Sequence, residues 1–91
     1  MTKEEAEQLI QRLDGKLVQT TEDLRLYSQA DPWYMTGTTL PEKHNFFILK
    51  SYTKQKSGIY IQVWFKILCK PRIYYTGFDY GDYFSTTLKE V

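Results

Sequence analysis

Apolar and polar residues alternate along the second half of the chain in the pattern typical of half-buried β-strands. Between positions 58 and 70 nearly every second residue is apolar, and residues two apart share one face of a strand. These positions are Ile59, Ile61, Val63, Phe65, Ile67 and Cys69. The intervening residues, among them Tyr60, Trp64 and Lys66, would occupy the opposite face. We predict a strand over 58–70 in which the side chains of these alternating apolar residues enter the core.

A second predicted strand precedes it over 44–54. The polar segment 53–58 (TKQKSG) separates the two strands and is typical of a turn, so they should form an antiparallel hairpin. Simple alternation places Phe47 and Leu49 on one face of the preceding strand. It places three further residues on the other face: Phe46, Ile48 and Tyr52. A strand that is apolar on both faces indicates a central strand, or a sheet whose second face is partly covered.

The N-terminal segment predicts a helix over residues 2–14. Thr2 and Glu5 have the spacing of a capping box, in which each side chain bonds a free backbone N–H group. Four apolar residues follow at helical spacing and would share one face: Ala6, Leu9, Ile10 and Leu13. Gly15 is suited to end the helix in the left-handed conformation. A helix of this length is marginal alone in water, so it should pack on the sheet.

The stretch between the helix and the hairpin is harder to interpret. Alternation over 24–28 favours a strand, although Thr21 followed by two acidic residues could instead cap a short helix. The cluster 33–35 (Trp-Tyr-Met) could plug the core or contact a partner, and burial statistics for large apolar residues favour the plug. The segment 36–41 has the composition of a loop.

The C-terminal third predicts two further strands, over 73–78 and 83–88, joined by a turn at 79–82. The second of these strands would lie at the edge of the sheet. Together with the helix and the hairpin, these elements predict a single domain spanning residues 1–91. Its predicted fold class is α+β, with the N-terminal helix packed on a curled antiparallel sheet of four to five strands.

Charge is unevenly distributed along the chain. Residues 1–42 contain eight acidic and four basic residues, whereas residues 43–78 contain seven basic residues and no acidic one. Such segregation indicates an interaction surface, or a basic sheet that pairs with the acidic flanks of its own chain. Composition alone leaves both interpretations open.

The sequence predicts a soluble protein of the cytoplasm. It contains no apolar segment near the roughly 20 residues that a membrane span needs. The N-terminus is acidic and lacks the apolar region of a signal peptide. A single cysteine, Cys69, excludes a disulfide within the chain and favours a reducing compartment. We therefore expect no membrane partner.

Few residues could carry catalysis or bind a metal ion. Cys69 lies on the predicted core face, and His44, the one histidine, has no second nitrogen or thiol at metal-ligand spacing. Asp79 and Asp82 are three apart in a turn, where turn capping explains both carboxylates. A nucleophile, a base and an orienting group do not occur together in the sequence as an enzyme requires. We predict a protein that is not an enzyme and uses no cofactor or metal.

The candidate binding residues are tyrosines and lysines that the predicted hairpin would bring to one face. Tyr52 and Trp64 would lie close together on this face. The tyrosine-rich segment 74–83 would add a half-buried loop, in which Gly77 and Gly81 let a partner approach the backbone. The predicted partner-binding residues are Tyr52, Tyr60, Trp64, Lys66, Tyr74, Tyr80 and Tyr83. The predicted basic face comprises Lys50, Lys54, Lys56, Lys70 and Arg72.

Aromatic side chains with a basic rim are common in protein interfaces, and rings beside lysines also suit single-stranded nucleic acid. We predict a small non-enzymatic binding protein that occupies the surface of a partner protein, as an inhibitor or an adaptor does. Small phage-encoded inhibitors of host defence complexes, such as anti-CRISPR proteins, have a similar size and composition. The alternative is a single-stranded nucleic-acid-binding protein that uses a basic aromatic sheet face. Exposed strand edges would also permit a homodimer.

Overall fold

The computed structural model of the chain describes residues 3–55, 61–79 and 88–91. Within these residues the chain forms one helix, α1 at Lys3–Gln11, and a 3-10 turn at Pro32–Tyr34. The same residues form seven β-strands: β1 at Leu17–Thr20, β2 at Leu24–Tyr27, β3 at Met35–Leu40, β4 at Asn45–Gln55, β5 at Ile61–Cys69, β6 at Arg72–Asp79 and β7 at Leu88–Glu90. No helix in the described part of the chain is long and apolar enough to cross a membrane.

The seven strands of the described residues form a single antiparallel sheet in the order β3-β2-β6-β5-β4-β1-β7. The predicted fold class, an N-terminal helix packed on a sheet of four to five strands, is therefore wrong: the chain is mostly sheet, and α1 is a minor element. The prediction did not include β3. The segment 36–41, predicted as a loop, belongs largely to β3, whose first five side chains are all exposed and so show no alternation.

Two hydrogen bonds attach α1 and the turn after it to β4. Gly15 adopts the left-handed conformation predicted for it, with a φ of 76°, and its N–H group donates to the Ile48 carbonyl at 2.7 Å. The Thr53 hydroxyl donates to the Glu7 carboxylate at 2.9 Å. The helix is thereby held against one face of the sheet.

The core lies between α1 and this face, which we call the inner face. Phe65 and Ile67 are fully buried there, as the alternation along β5 predicts. The helix and the turn after it contribute Ile10 and Leu13 from the other side. The buried apolar residues of this core are Ile10, Leu13, Val18, Leu24, Leu26, Leu40, Phe46, Ile48, Val63, Phe65, Ile67 and Leu88.

A β-bulge in β4 changes which side chains share a face. Ile48 and Lys50 pair with consecutive residues of β5, so Leu49 is an extra residue in the register. Beyond the bulge the alternation is shifted by one position. Tyr52 therefore lies on the face opposite Ile48, and the prediction that these two residues share a face is wrong.

Both edge strands have features that discourage pairing with a further strand. In β3, residues 36–38 lie opposite the single residue Leu26 of β2, and Gly37 has a φ of 76°. This irregularity bends the edge. The other edge, β7, has three residues, of which Lys89 and Glu90 are charged. Edges of this kind give little support to a homodimer formed by strand addition.

Two predictions for the C-terminal third lie largely outside the described residues, namely the turn at 79–82 and the edge strand over 83–88. The predicted strand over 73–78 corresponds to β6. Leu88 is the first residue of β7, which pairs with β1.

Candidate functional site

The candidate site is the outer face of the sheet, which is turned away from α1 and the core. Strand register aligns its side chains in rows that cross the strands. One row is apolar and crosses four strands, from β1 through β4 and β5 to β6. We call it the apolar row, and it consists of Leu17, Phe47, Leu68 and Ile73.

The apolar row is open to solvent. Phe47 is 43% exposed and Ile73 is 50% exposed, while Leu17 and Leu68 are half-buried. Leu49 in the neighbouring bulge is also exposed. Scattered exposed apolar residues are normal on a protein, but a contiguous set is typical of a contact site.

The next row along the strands brings two lysines together. Lys50 on β4 lies directly opposite Lys66 on β5, and Tyr75 on β6 lies opposite Lys66. Like charges directly opposite each other destabilise a sheet. The Lys50 ammonium group lies 5.4 Å from the centroid of the Tyr52 ring, a cation–π contact that offsets part of this repulsion. Positive charge is thereby concentrated beside the apolar row.

Trp64, a predicted partner-binding residue, is buried beneath the outer face and only 2% exposed. Tyr27 packs edge-on against it, with ring centroids 5.1 Å apart and ring planes at 81°. The indole N–H group donates to the Gln62 side-chain oxygen at 3.2 Å. Because neighbouring side chains and backbone cover the ring, the prediction that Trp64 offers it to a partner is wrong.

Gly77 has a different role from the predicted one. Its backbone on β6 lies against the Trp64 indole, and a Cβ atom at Gly77 would come within 2.7 Å of that ring. The glycine therefore lets β6 pack closely on a side chain of the same protein, rather than admitting a partner. Gly81 lies outside the described residues.

A cleft of about 670 Å³ opens toward the other end of β4 from the apolar row. One wall is the loop 28–31 together with Tyr34, and the other is formed by Tyr52, Lys54 and Tyr75 of the sheet. We call it the tyrosine cleft. Tyr34 and Tyr75 were absent from the predicted set. The cleft was missed because it depends on how the loop after β2 folds back over the sheet.

The exposed cluster 33–35 adjoins this cleft through Tyr34. The prediction that the cluster plugs the core is wrong, since Trp33 is 91% exposed and its two neighbours are also exposed. Asp31 fixes the segment in a 3-10 turn, because its Oδ1 accepts a hydrogen bond from the Trp33 N–H group at 2.9 Å. Pro32 suits the first position of such a turn. The Asp-Pro pair was the signal in the sequence for an exposed turn.

The structure separates the other predicted binding residues. Tyr52, Lys50, Lys54 and Lys66 share the outer face. Tyr74 pairs with Ile67 and therefore lies on the inner face, where it is half-buried against the core, so it does not share the outer face with the other candidate residues. Two exposed basic residues flank the turn between β5 and β6: Lys70 and Arg72. Four predicted residues lie outside the described part of the chain: Lys56, Tyr60, Tyr80 and Tyr83.

The single histidine and the single cysteine of the chain are in contact, which alternation alone did not indicate. Cys69 Sγ lies 3.5 Å from His44 Nε2, and both residues are partly buried. Burial raises the pKa of the Cys69 thiol above its ordinary value of 9.0, which disfavours the thiolate needed for nucleophilic attack or metal binding. No group of three or more potential metal ligands occurs among the described residues. Asp82 and the side chain of Asp79 lie outside them.

No protein family, curated protein or solved structure matches this chain. The chemistry of the outer face itself is therefore the guide to function. This face combines exposed apolar surface, closely spaced positive charge and an aromatic cleft. Such features are typical of a binding surface.

Proposed function

We propose that this protein is a small non-enzymatic binding module that acts by covering the surface of a partner protein with its outer face. The apolar row carries this proposal. Its side chains lie in register across four paired strands and remain open to solvent, and such contiguous exposed surface supports a protein-interaction site. An inhibitor and an adaptor would both act in this way.

Burial of the apolar row would contribute much of the binding free energy. Removing apolar surface from water contributes about 25 cal/mol per Å². Phe47 and Leu68 lie on β4 and β5, which have paired strands on both sides. Because this framework is already ordered, little conformational entropy would be lost when a partner binds. We expect the aromatic ring of Phe47 to be the main anchor.

The lysine pair indicates the charge of the partner. An acidic group placed between Lys50 and Lys66 would relieve their mutual repulsion and accept charge-assisted hydrogen bonds from both. We therefore expect a partner whose apolar contact surface is bordered by acidic side chains.

The double variant Phe47→Ser/Ile73→Ser tests the proposal, with Met35→Ser as its control. Met35 is also an exposed apolar residue, at 61%, but it lies on β3 outside the row. Each protein would be immobilised and used to capture partners from extract of the cells that produce it, with quantification by mass spectrometry. We expect wild type and Met35→Ser to retain the same partner and the double variant to lose it.

Circular dichroism and thermal melting would establish that all three proteins are folded. Equal retention by the wild type and the double variant would contradict the proposal. So would loss of the partner from Met35→Ser alone, because the contact site would then lie at the β3 edge.

Binding of single-stranded nucleic acid is a second candidate function. Lys50, Lys54 and Lys66 share the outer face with Tyr52 and Tyr75, and lysines beside stacking rings support such binding. Labelled oligonucleotides would be titrated at low and near-physiological salt. A steep fall of affinity with salt, together with loss of binding in Lys66→Ala, would support this function. Absence of binding at low salt would exclude it.

Trp64→Ala is a poor variant for that titration. The ring is buried, so its removal should cost about 3–5 kcal/mol of stability. Loss of binding would then report unfolding rather than a lost stacking contact.

A further inference from the structure

We infer that the tyrosine cleft binds a proline-rich, extended protein segment that carries an acidic residue. The cleft and the apolar row lie toward opposite ends of β4, marked by Lys54 and Phe47. The inference therefore goes beyond the proposed function of the apolar row and does not depend on it. It rests on the shape of the cleft, the chemistry of its walls and the state of the sheet edges.

The cleft is of suitable size, and hydrogen bonds hold its walls in place. Its volume of about 670 Å³ lies within the range of roughly 300–1,000 Å³ that is usual for ligand sites. Lys54 Nζ joins the two walls by donating to the Ala30 carbonyl. The Ser28 N–H group donates to the Tyr34 carbonyl at 2.8 Å, and the Tyr34 N–H group donates to the Asp31 carbonyl at 3.1 Å. A segment that enters the cleft would meet an ordered loop.

The walls offer aromatic rings and hydrogen-bond donors together. Tyr34, Tyr52 and Tyr75 line the cleft, and tyrosine rings can pack against pyrrolidine rings. Within the described part of the chain, their three hydroxyl groups make no hydrogen bond to another residue. The Lys54 ammonium group and the Gln29 amide are further donors. The cleft therefore suits a ligand that presents apolar rings and free acceptor oxygens.

A polyproline II segment has both properties. It forms no internal hydrogen bonds, so its carbonyl groups are free to accept, and its proline rings dock in grooves lined by aromatic residues. It is also extended before binding, so little conformational entropy is lost. The other common modes of peptide recognition fit less well. Strand addition is discouraged by the bulged β3 and the short, charged β7, and a docked helix needs a longer apolar groove.

Charge complementarity specifies the acidic residue. Lys54 is the basic residue that lines the cleft, and Asp31, the acidic residue among the lining residues, already accepts a hydrogen bond from the Trp33 N–H group. A carboxylate beside the Lys54 ammonium group would accept a charge-assisted hydrogen bond. A nucleic-acid backbone fits less well, because it carries several phosphate charges and Lys54 is the one basic residue among the lining residues that the structure describes.

The probe is a synthetic nine-residue polyproline peptide with one central glutamate, titrated into the full-length protein by isothermal calorimetry. Two control peptides carry glutamine in place of the glutamate, or alanine in place of the prolines. We expect measurable binding of the probe, with affinity weaker by about tenfold for each control, a difference of about 1.4 kcal/mol. Equal binding of the alanine peptide, or no binding of the probe at millimolar concentration, would overturn the inference.

Two variants assign the binding to the cleft. Tyr34→Ala should weaken the probe by at least about tenfold, and its folding is at little risk because Tyr34 lies on an exposed turn. Lys54→Met should remove the preference for glutamate over glutamine while leaving part of the affinity. The matched control Phe47→Ser should bind the probe like wild type. Loss of binding in Phe47→Ser, or none in Tyr34→Ala, would place the ligand elsewhere and overturn the inference.

A single-stranded oligonucleotide serves as the competing ligand. If the oligonucleotide displaces the probe, Tyr34→Ala would then be tested for an equal loss of affinity for both ligands. If both results are obtained, the cleft is a nucleic-acid site and the inference is wrong. The apolar row is tested by a different variant pair, so failure here leaves that proposal unaffected.

Discussion

The inner and outer faces of the same sheet differ in burial and in how closely they follow the rules of stable packing. On the inner face, Phe65 and Ile67 are fully buried and the alternation pattern is followed closely. On the outer face, Phe47 remains exposed and Lys50 lies opposite Lys66. Departures from the rules of stability are expected where a protein binds something, because selection then acts on the contact surface. The comparison supports a folding role for the inner face and is consistent with the recognition role that we propose for the outer one.

The largest expected contrast is between two phenylalanines, one on each face. Phe65→Ala removes a fully buried ring and should cost about 3–5 kcal/mol of unfolding free energy. Phe47→Ala should cost less, about 1 kcal/mol, because Phe47 is 43% exposed and the change removes only partly buried surface from a strand. Urea unfolding followed by fluorescence measures both. A large destabilisation by Phe47→Ala would mean that the outer face is also a core.

The buried part of the outer face gives the next effect. Gly77→Ala would push a methyl group into the Trp64 ring, and overpacking of this kind costs about 1–3 kcal/mol. The double variant Gly77→Ala/Trp64→Phe should lose less stability than the sum of the two single variants, since the smaller ring makes room. Strict additivity in the double-variant cycle would show that the two residues are not in contact.

Within the inner face, one hydroxyl should be dispensable. Ser51 Oγ is buried and has no hydrogen-bond partner among the described residues, whereas the buried Thr76 hydroxyl donates to the Arg25 carbonyl at 3.1 Å. Ser51→Ala should raise the unfolding free energy by about 1 kcal/mol, and Thr76→Val should lower it by a similar amount. A fall in the thermal midpoint of Ser51→Ala would indicate that a water molecule or another group satisfies the hydroxyl.

The smallest expected effect on stability comes from Lys66→Glu, which should change stability and partner binding in opposite directions. Lys66→Glu replaces the like-charged pair with an attractive one, which should stabilise the sheet by a few tenths of a kcal/mol, within the usual range of about 0.2–1 kcal/mol. The same change should weaken capture of an acidic partner. If stability and capture both fall, Lys66 supports the fold rather than recognition.

Sequence reasoning served the inner face well. The alternation through Ile61, Val63, Phe65 and Ile67 predicts their burial correctly, because a long, regular strand with one buried face leaves a periodic pattern. The hairpin of β4 and β5 was predicted for the same reason. The order of the strands across the sheet leaves no such pattern in the sequence. The short strand β3 and the full sheet order could not be obtained from periodicity.

The candidate site was predicted only in part, for two physical reasons. The bulge at Leu49 shifts the alternation within β4, so strict counting wrongly places Tyr52 on the same face as Phe46 and Ile48. The second reason is that exposure depends on tertiary packing: Tyr27 covers Trp64, whereas Trp33 has no comparable cover. The sequence predicts a buried Trp33 and an exposed Trp64. The structure shows the reverse for both residues.

The bulge also bears on how the length of this chain can change during evolution. Loss of one residue from a regular strand turns every later side chain to the other face, much as a deletion shifts a reading frame. Leu49 is a residue in excess of the regular register. A descendant sequence that lost it would keep Ser51 on the inner face and Tyr52 on the outer one. β4 is therefore a strand in which a one-residue deletion would preserve the division between the inner face and the outer face.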